Sequence, residues 1–329
     1  MQNAVIASAG TYVPERVLPN AWFNNLLKED VDTWLRENLH IYERRWCEEN
    51  QSTADLAEQA ALIALQRAGI GPEEIDLIVV STDTPEFISP STATIVQDRI
   101  GATRAGTFDV NSACAGFVTA LNIGANFIRA DQQYRHILVI GAYAMSKYLN
   151  LEDKKTVTLF ADAAGAVVLK SEENRERGFL GGEMRSMGQY NEWMGIYAGG
   201  TKHAINAQAD QHLQQHLAFV KRFPKELNPT TWVDMIQVLS QKTQVKPEEA
   251  AQFFITQLNI NSIWETMDLL GISREKAHTI MHHYGYTGSA CLPLAFADAW
   301  EKGLVKPGDL IYFIGSGGGL AFASAAFRL

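Results

Sequence analysis

Three short patterns in this 329-residue chain occur twice, in the same order and at nearly the same separation. The string Ser-Ala-Cys ends at Cys114 and again at Cys291, which lies 177 residues later. Two more pairs, each at the end of a strand-like run, are 175 and 174 residues apart: Thr82 with Gln257, and Gly141 with Gly315. A period this long excludes a solenoid of short repeats and indicates one unit that has been copied once. We therefore expect two related halves, residues 1–172 and 173–329.

Each half alternates short apolar runs with amphipathic helical patterns, which predicts an α/β fold with mostly parallel sheets. In the first half the pattern gives strands at 4–8, 77–81, 106–110 and 136–141, helices at 53–68, 91–100 and 115–131, and another helix that starts at 21 or 31 and ends at 38. Residues 156–160 and 165–170 are predicted to pair as strands around a turn at 161–164, in which Asp162 is structural. Residues 173–249 are interpreted as a polar insertion with a helix at 204–223, which carries His212 and His216.

The composition restricts the classes of function. A net charge of −9 argues against non-specific binding of nucleic acid, and it suits an acidic carrier protein only where a local basic patch compensates. Three widely separated cysteines, without a Cys/His cluster at metal spacing, indicate neither a disulfide framework nor a metal site. No apolar run reaches the roughly 18 residues that a membrane span needs, and a reducing cytoplasm is the expected location.

Cys114 lies where the strand-like run 106–110 meets a proline-free helical pattern. Its sulfur is expected near the positive end of the helix dipole, which stabilises a thiolate. The small neighbours Ala113, Ala115 and Gly116 leave room for a substrate carbonyl to approach the sulfur. These features fit a nucleophile that carries an acyl group, and they fit a buried structural cysteine equally well.

Four motifs add a family resemblance that runs through the chain in matching order. They are NSACAGF at 111–117, LFADAAGAVVL at 159–169, YGYTGSACLPLAF at 284–296 and GDLIYFIGSGGGLAFASAAFRL at 308–329. Together they resemble ketoacyl synthase III, a condensing enzyme of the thiolase superfamily. The resemblance implies an internally duplicated, five-layered α-β-α-β-α fold, an acyl group carried on Cys114, and a homodimer whose interface is crossed by the loop 84–90. It also implies acyl-CoA or acyl carrier protein as thioester substrate and partner, with no tightly bound cofactor.

The family pattern also assigns roles around the nucleophile. The backbone amides of Cys114 and Gly318 would hold the oxyanion of acyl transfer. The family's His and Asn positions, which hold the second thioester during malonyl decarboxylation, match Gln257 and Tyr286 here. Each of these side chains donates a hydrogen bond, but neither shuttles protons near neutral pH. We therefore expect weak malonyl decarboxylation.

The resemblance reaches the entrance of the site as well. Trp34 matches a family Trp that clamps the CoA adenine, whereas the accompanying Arg position reads Asn38. Lys154 keeps a cation at another phosphate position, and loss of the arginine weakens the expected CoA recognition. His282 or His283 would substitute for the missing family His if this stretch were a strand facing the site, although a packed or surface role is favoured for both.

Three hypotheses follow. The leading one is a condensing acyltransferase in specialised fatty-acid or polyketide-like metabolism, with Cys114 as nucleophile, Gly318 as oxyanion donor, and Gln257 and Tyr286 positioning the acceptor. The alternative is a non-catalytic or half-active partner subunit of a heteromeric synthase. A thioester hydrolase is less favoured, because no evident base would activate water at Cys114.

Overall fold

The computed structural model describes residues 2–173, 176–204 and 215–329. The strands of the first half are β1 (Asn3–Tyr12), β2 (Val17–Pro19), β3 (Glu43–Arg45), β4 (Leu77–Ser81), β5 (Gly106–Val110), β6 (His136–Ala144) and β7 (Asp162–Glu172). Those of the second half are β8 (Gly178–Ser186), β9 (Met194–Gly195), β10 (Ala218–Phe219), β11 (Gln252–Ile255), β12 (Leu310–Gly317) and β13 (Ala321–Arg328).

The helices connect these strands. They are α1 (Asn20–Leu27), α2 (Asp32–Leu39), α3 (Thr53–Ala68), α4 (Thr92–Ile100), α5 (Gly116–Ala130), α6 (Lys154–Val157), α7 (Leu227–Thr243), α8 (Ile260–Leu270), α9 (Met281–Tyr284) and α10 (Cys291–Glu301). The single helix predicted before residue 38 is thus two helices, because the chain turns at Lys28 in the left-handed conformation. The helix predicted at 53–68 is present, with a capping box from Ser52 at its start and Gly69 at its end. Within the described ranges, no helix is both long and apolar enough to cross a membrane.

The two large sheets repeat one strand pattern. The first has the order β1-β7-β6-β4-β5, and the second has the order β8-β13-β12-β11. In both, one pair is parallel (β4 with β6, β11 with β12), while the next two pairs toward β1 or β8 are antiparallel. The sheets are therefore mixed, and the expectation of mostly parallel sheets is wrong. A short glycine-rich turn joins β12 to β13, and a connection this short allows only an antiparallel neighbour.

The layers are arranged as the family resemblance implies. Helices α5 and α10 lie between the sheets, since each contacts strands of both, whereas α3 covers the outer face of the first sheet and α7 that of the second. This is a five-layered α-β-α-β-α fold. The repeated glycines have one physical role: a Cβ on Gly141 would lie 2.3 Å from the Ser289 carbonyl oxygen, and one on Gly315 would lie 2.9 Å from the Ala115 Cα. Glycine thus lets the start of each central helix approach a strand of the other half.

Residues 153–172 differ from the predicted strand pair. The Asp153 side chain accepts a hydrogen bond from the Lys155 backbone N–H at 3.0 Å and starts the short helix α6, so residues 156–160 are not a strand. Strand β7 begins at Asp162, where a turn was predicted. Asp162 is fully buried and accepts hydrogen bonds from the backbone N–H groups of Cys47 (2.7 Å) and Ser146 (2.8 Å). Asp162 is therefore structural, but it lies within a strand.

The region 173–249 is less of an insertion than the sequence indicates. Strand β8 pairs with β13 in the second sheet, and α7 packs on both strands. Of the helix predicted at 204–223, residues 205–214 lie outside the described residues, His212 among them. Residues 215–223 contain the short strand β10, which pairs with β9, so this part of the prediction is wrong. The boundary between halves near residue 172 stays a prediction.

Candidate active site

Cys114 lies in the turn between β5 and α5, where the sequence analysis places it. The residue before it, Ala113, has φ 45°, a left-handed conformation that is costly for a residue with a Cβ and is typical of functional turns. A Cβ on Gly116 would lie 2.1 Å from the Ser81 Oγ, so only glycine lets α5 start this close to β4. The local sequence thus holds the thiol at the start of a central helix.

The glycine-rich turn after β12 packs directly on the backbone of Cys114. A Cβ on Gly317 would lie 2.5 Å from the Cys114 backbone nitrogen and 2.9 Å from the Ser112 carbonyl oxygen. A Cβ on Gly318 would meet nothing nearer than the Met194 carbonyl oxygen, at 3.4 Å. Gly317 is therefore required because the two backbone segments approach closely, whereas Gly318 lines open space.

A cavity of about 780 Å³ extends from Cys114 to the surface of the protein. Its inner wall includes Cys114, Thr256, Tyr286 and Gly318. Its outer wall is made of exposed side chains that include Trp34, Lys155, Lys221, Arg222 and Lys225. The sulfur is therefore reachable from solvent, although Cys114 is only 2% exposed.

The electrostatic environment of Cys114 differs from the expected one. Burial raises the pKa of its thiol well above the ordinary value, and the negative charge of Asp83 raises this pKa further. A hydrogen bond with the Tyr286 side chain acts in the opposite direction. Desolvation of the charged sulfur therefore opposes the thiolate that the helix start was expected to stabilise, and that thiolate stays a prediction.

Asp83 is a functional candidate that the sequence analysis missed. It follows β4, whose last residue is paired with Val110 of β5 and Gly141 of β6, so it lies at the strand edge that also carries Cys114. Burial raises the pKa of Asp83 to about 6, and its Oδ1 has no hydrogen-bond partner among the described residues. An isolated carboxylate in a predicted loop is expected to face solvent, so the sequence does not predict that Asp83 is buried at this strand edge.

Tyr286 is placed in the site and Gln257 is not. Tyr286 is 1% exposed and lines the cavity beside Cys114. The Gln257 amide instead accepts hydrogen bonds from the backbone N–H groups of Ile280 (2.8 Å) and Met281 (3.2 Å), and it donates one to the His278 carbonyl oxygen at 3.2 Å. Gln257 is therefore a buried structural residue outside the cavity, and its assignment to the site is wrong.

The residue of this turn that lines the cavity is Thr256. Its Oγ1 accepts a hydrogen bond from the Ser316 backbone N–H at 2.8 Å, which ties the turn after β11 to the end of β12.

The histidines near Tyr286 do not replace the missing family His. His282 and His283 lie on the short helix α9 rather than on a strand, and neither lines the cavity. Burial lowers the pKa of His282, and His283 lies 3.5 Å from a Glu43 carboxylate oxygen. Both therefore belong to the packed surface beside the site.

At the mouth of the cavity one predicted residue is in place and one is not. Trp34 lines the mouth and is 52% exposed, as a side chain that stacks on a ligand would be. Lys154 forms an ion pair with Glu29 at 2.7 Å and does not line the cavity, so its assignment to the site is wrong. The neighbouring Lys155 lines the cavity instead.

Four exposed basic side chains surround the mouth; we call them the basic rim: Lys155, Lys221, Arg222 and Lys225. In the part of the chain that the structure describes, no salt bridge joins them to an acidic side chain, although Glu265 also lines the cavity. The sequence signal was the run Lys-Arg-Phe-Pro-Lys at 221–225, which the wrongly predicted helix at 204–223 concealed.

The described residues offer no metal site, since no three His, Cys, Asp or Glu side chains come together there. All three cysteines are buried and free of disulfides.

Comparisons with known proteins agree with this architecture. Two family models match, 3-oxoacyl-[acyl-carrier-protein] synthase III at residues 108–188 and the C-terminal part of the same family at residues 240–329. A beta-ketoacyl-[acyl-carrier-protein] synthase III of Clostridium perfringens is 35% identical over 332 residues, which cover 100% of both chains.

Solved structures give the same result. The 3-oxoacyl-[acyl-carrier-protein] synthase III of Aquifex aeolicus superposes with a TM-score of 0.88 at 32% identity, over 99% of this chain and 100% of that one. The priming beta-ketosynthase of the R1128 polyketide pathway superposes with a TM-score of 0.91 at 26% identity, over 99% of this chain and 96% of that one. The chain therefore belongs to the 3-oxoacyl-[acyl-carrier-protein] synthase III family of thiolase-like condensing enzymes.

Proposed function

We propose that this condensing enzyme takes an acyl group from a thioester onto Cys114 and passes it to a second thioester-bound acceptor. The observation that carries the proposal is the position of Cys114 at the inner end of a cavity that it shares with Gly318. The Cys114 sulfur attacks the thioester carbonyl, a new C–S bond forms, and the substrate C–S bond breaks. The proton of the Cys114 thiol leaves with the released thiol.

The oxyanion of this step has its donors in the backbone. The N–H groups of Cys114 and Gly318 belong to two segments that pack on each other, and fixed amides of this kind stabilise developing charge by a few kcal/mol. They also favour attack by a sulfur whose resting pKa is high, because the negative charge passes to the carbonyl oxygen as the bond forms.

The acceptor side of the site is unusual. Thr256 and Tyr286 line the cavity together with Ser316. The Thr256 and Tyr286 hydroxyls would each donate one hydrogen bond to a thioester carbonyl in place of their present acceptors, which are the Ser316 carbonyl oxygen (3.4 Å) and the Cys114 sulfur. Neither titrates near neutral pH, so decarboxylation of a malonyl group is slow relative to a site with a histidine there. This favours a specialised acceptor, as in polyketide-like metabolism.

We expect the part of the thioester substrate that lies at the mouth of the cavity to carry phosphate. The basic rim places positive charge around the mouth of an otherwise acidic protein, and Trp34 offers a flat face beside it. Phosphate groups of CoA and the acidic surface of an acyl carrier protein are both attracted by such a cluster. The basic rim supplies the local positive charge that an acidic protein needs in order to bind an acidic carrier protein.

The assembly proposed is a homodimer in the cytoplasm. Phe87 and Ile88, in the loop 84–90, are 55% and 82% exposed, and adjacent large apolar side chains of this kind fit an interface. Three cysteines without disulfides fit a reducing compartment. Light scattering tests the dimer directly, and Ile88→Asp should shift the mass toward the monomer.

Intact-protein mass spectrometry tests the enzymatic proposal. Incubation with acetyl-CoA should add one acetyl mass to the wild type and to Cys47→Ala, whose cysteine is buried away from the cavity, and none to Cys114→Ala. Addition of malonyl-carrier protein should then remove that mass slowly and yield a 3-oxoacyl product, because decarboxylation of the malonyl group is slow in this site. Absence of acylation by any CoA or carrier thioester would refute the proposal and favour the alternative, a non-catalytic partner subunit, which the retained cavity and cysteine otherwise disfavour.

A further inference from the structure

Asp83 follows β4 between two threonines that face the opposite way. The Thr84 hydroxyl lies 3.3 Å from the Thr82 hydroxyl and 3.3 Å from the Thr53 hydroxyl. Thr53 starts α3, which covers the outer face of the first sheet. Because successive side chains of an extended chain alternate in direction, Asp83 points toward the central layer, where α5 begins.

The same threonines hold the backbone around Asp83. The Thr84 N–H donates to the Thr82 Oγ1 at 3.0 Å, and the Ala144 N–H, at the end of β6, donates to the Thr84 Oγ1 at 3.0 Å. The Thr53 hydroxyl donates to the Thr84 carbonyl oxygen at 2.6 Å. Asp83 is therefore fixed relative to both β6 and α3, and a group that acts on a reacting atom needs such support.

The Asp83 carboxylate has one oxygen that nothing occupies. The residue is partly exposed, but its Oδ1 is closed off from solvent and has no hydrogen-bond partner in the part of the chain that the structure describes. Burial, followed by the Asp83 charge, raises the pKa of both the Cys114 thiol and the Tyr143 hydroxyl. The three side chains therefore lie close together, and the Oδ1 is free to accept a proton from a group on the sulfur.

Asp83 differs from its neighbours in where it titrates. Burial raises its pKa to about 6. The titratable side chains around Asp83 and Cys114 have pKa values above their ordinary ones, chiefly because of burial: Cys114, Tyr143, Tyr148, Tyr286 and Cys291. Glu86, the next carboxylate of the loop, is turned away and accepts a hydrogen bond from the Ala54 N–H at 3.0 Å. Of these groups, Asp83 is the one suited to act as a base near neutral pH.

The route of the substrate determines where the acyl chain points. The thioester enters through the cavity, so its leaving thiol lies toward the mouth, while its oxygen is held by the proposed amide donors of Cys114 and Gly318. The remaining substituent of the carbonyl carbon, the acyl chain, then lies on the inner side of Cys114. Asp83 is beside Cys114 but does not line the cavity, so it lies on this inner side as well.

We propose that Asp83 is a catalytic base that removes a proton from the carbon next to the thioester carbonyl of acyl-Cys114. The C–H bond breaks, the proton goes to the Oδ1, and the electron pair moves into an enolate whose oxygen is held by the Cys114 and Gly318 amides. This inference rests on the acylation step of the proposed function and adds an activity to it.

The enolate is a carbon nucleophile that forms without loss of CO2, in a site where malonyl decarboxylation is slow. It attacks the carbonyl carbon of a second acyl thioester, so that a C–C bond forms and the C–S bond of that thioester breaks. The leaving sulfur takes the proton from Asp83, and a 3-oxoacyl group remains on Cys114.

The test is hydrogen exchange at the bound acyl group. Enzyme acetylated by acetyl-CoA is freed of excess reagent and held in D2O, and the acetyl group is then released with hydroxylamine. Its deuterium content, measured by mass spectrometry, is divided by the acetylated fraction of the enzyme, so that the rate of acylation does not enter. The wild type should gain deuterium on the methyl carbon, because each proton that Asp83 removes is replaced from solvent.

Two variants assign the exchange to one carboxylate. Asp83→Asn keeps the shape of the side chain but cannot take the proton, and it should exchange at least roughly 10²-fold more slowly. The matched control is Glu86→Gln, which neutralises the carboxylate that faces α3 and should exchange like the wild type.

The pH profile of the wild type is a second measurement that needs no variant. Exchange should increase as the pH rises through about 6 and then level off, because the ionised carboxylate is the active form. Acetylated wild type that gains no deuterium, or a profile without this rise, would overturn the proposal while leaving acylation intact. Wild-type exchange in Asp83→Asn would overturn the assignment to Asp83. Absence of acetylation by any thioester would instead refute the proposed function itself.

Discussion

Two adjacent glycines where β12 ends, Gly317 and Gly318, should differ in their response to the same substitution. In Gly317→Ala the new Cβ would start 2.5 Å from the Cys114 nitrogen and 2.9 Å from the Ser112 oxygen, both of which are backbone atoms. Ordinary contacts begin at about 3.4 Å, so one segment must move by roughly 1 Å relative to the other. Such overpacking costs about 1–3 kcal/mol of unfolding free energy.

The same displacement separates the nucleophile from the second oxyanion donor. A shift of that size at a reacting centre lowers rates by roughly 10²-fold, so acetylation of Cys114 should slow to that extent in Gly317→Ala. In Gly318→Ala the nearest atom is 3.4 Å away, and thermal stability should stay within about 0.5 kcal/mol of the wild type.

Differential scanning calorimetry and acylation kinetics on both variants check this pair of predictions. If Gly317→Ala melts and acylates like the wild type, the close approach of turn and nucleophile is not present in solution. If Gly318→Ala is the less stable of the two, the steric reasoning is also wrong.

Three further substitutions test the electrostatics of the site and its mouth. Asp83→Asn removes the charge that raises the thiol pKa, so alkylation of Cys114 by iodoacetamide near pH 8 should be several-fold faster, and the gain should vanish below about pH 6, where wild-type Asp83 is protonated. The pKa of Asp83 in the folded protein lies above the ordinary value, so the stability of the wild type falls as the pH rises from about 4 through 6. At pH 8, Asp83→Asn should therefore melt at a higher temperature than the wild type. At pH 4 it should not. Tyr286→Phe removes a hydrogen bond that lowers the pKa of Cys114, and alkylation at pH 8 should become slower, with a faster rate contradicting the assignment. Lys221→Glu should raise the KM for CoA thioesters with little change in kcat, while Lys306→Glu, also exposed but away from the cavity, should change neither; equal effects would show that only net charge matters.

Long-range regularities predicted the duplication, whereas the five layers and the acyl-carrying role of Cys114 were implied by the family resemblance. The repeated glycines and the Ser-Ala-Cys strings lie where each central helix meets the opposite sheet. Their nearly equal separations therefore indicate the duplication directly. The mixed sheets were missed because direction depends on how a connection is built, which apolar runs do not record.

The finer errors have a common cause, which is that neighbouring residues point in different directions. Lys154 and Lys155 are adjacent, yet on one helical turn only the second reaches the cavity. Thr256 and Gln257 follow a strand that is buried on both faces, so alternation of polarity gives no clue to which of them faces the substrate. Placement of Asp83 depends on the meeting of three strand ends, and no local pattern encodes that.

The close contact between the start of α5 and the glycines of β12 has a consequence for when the proposed active site forms during folding. Under the proposed division into residues 1–172 and 173–329, the proposed nucleophile lies in the first half and the proposed facing amide in the second, so neither half holds the proposed site alone. Catalytic competence should therefore appear only at the last stage of folding, when the two copies dock.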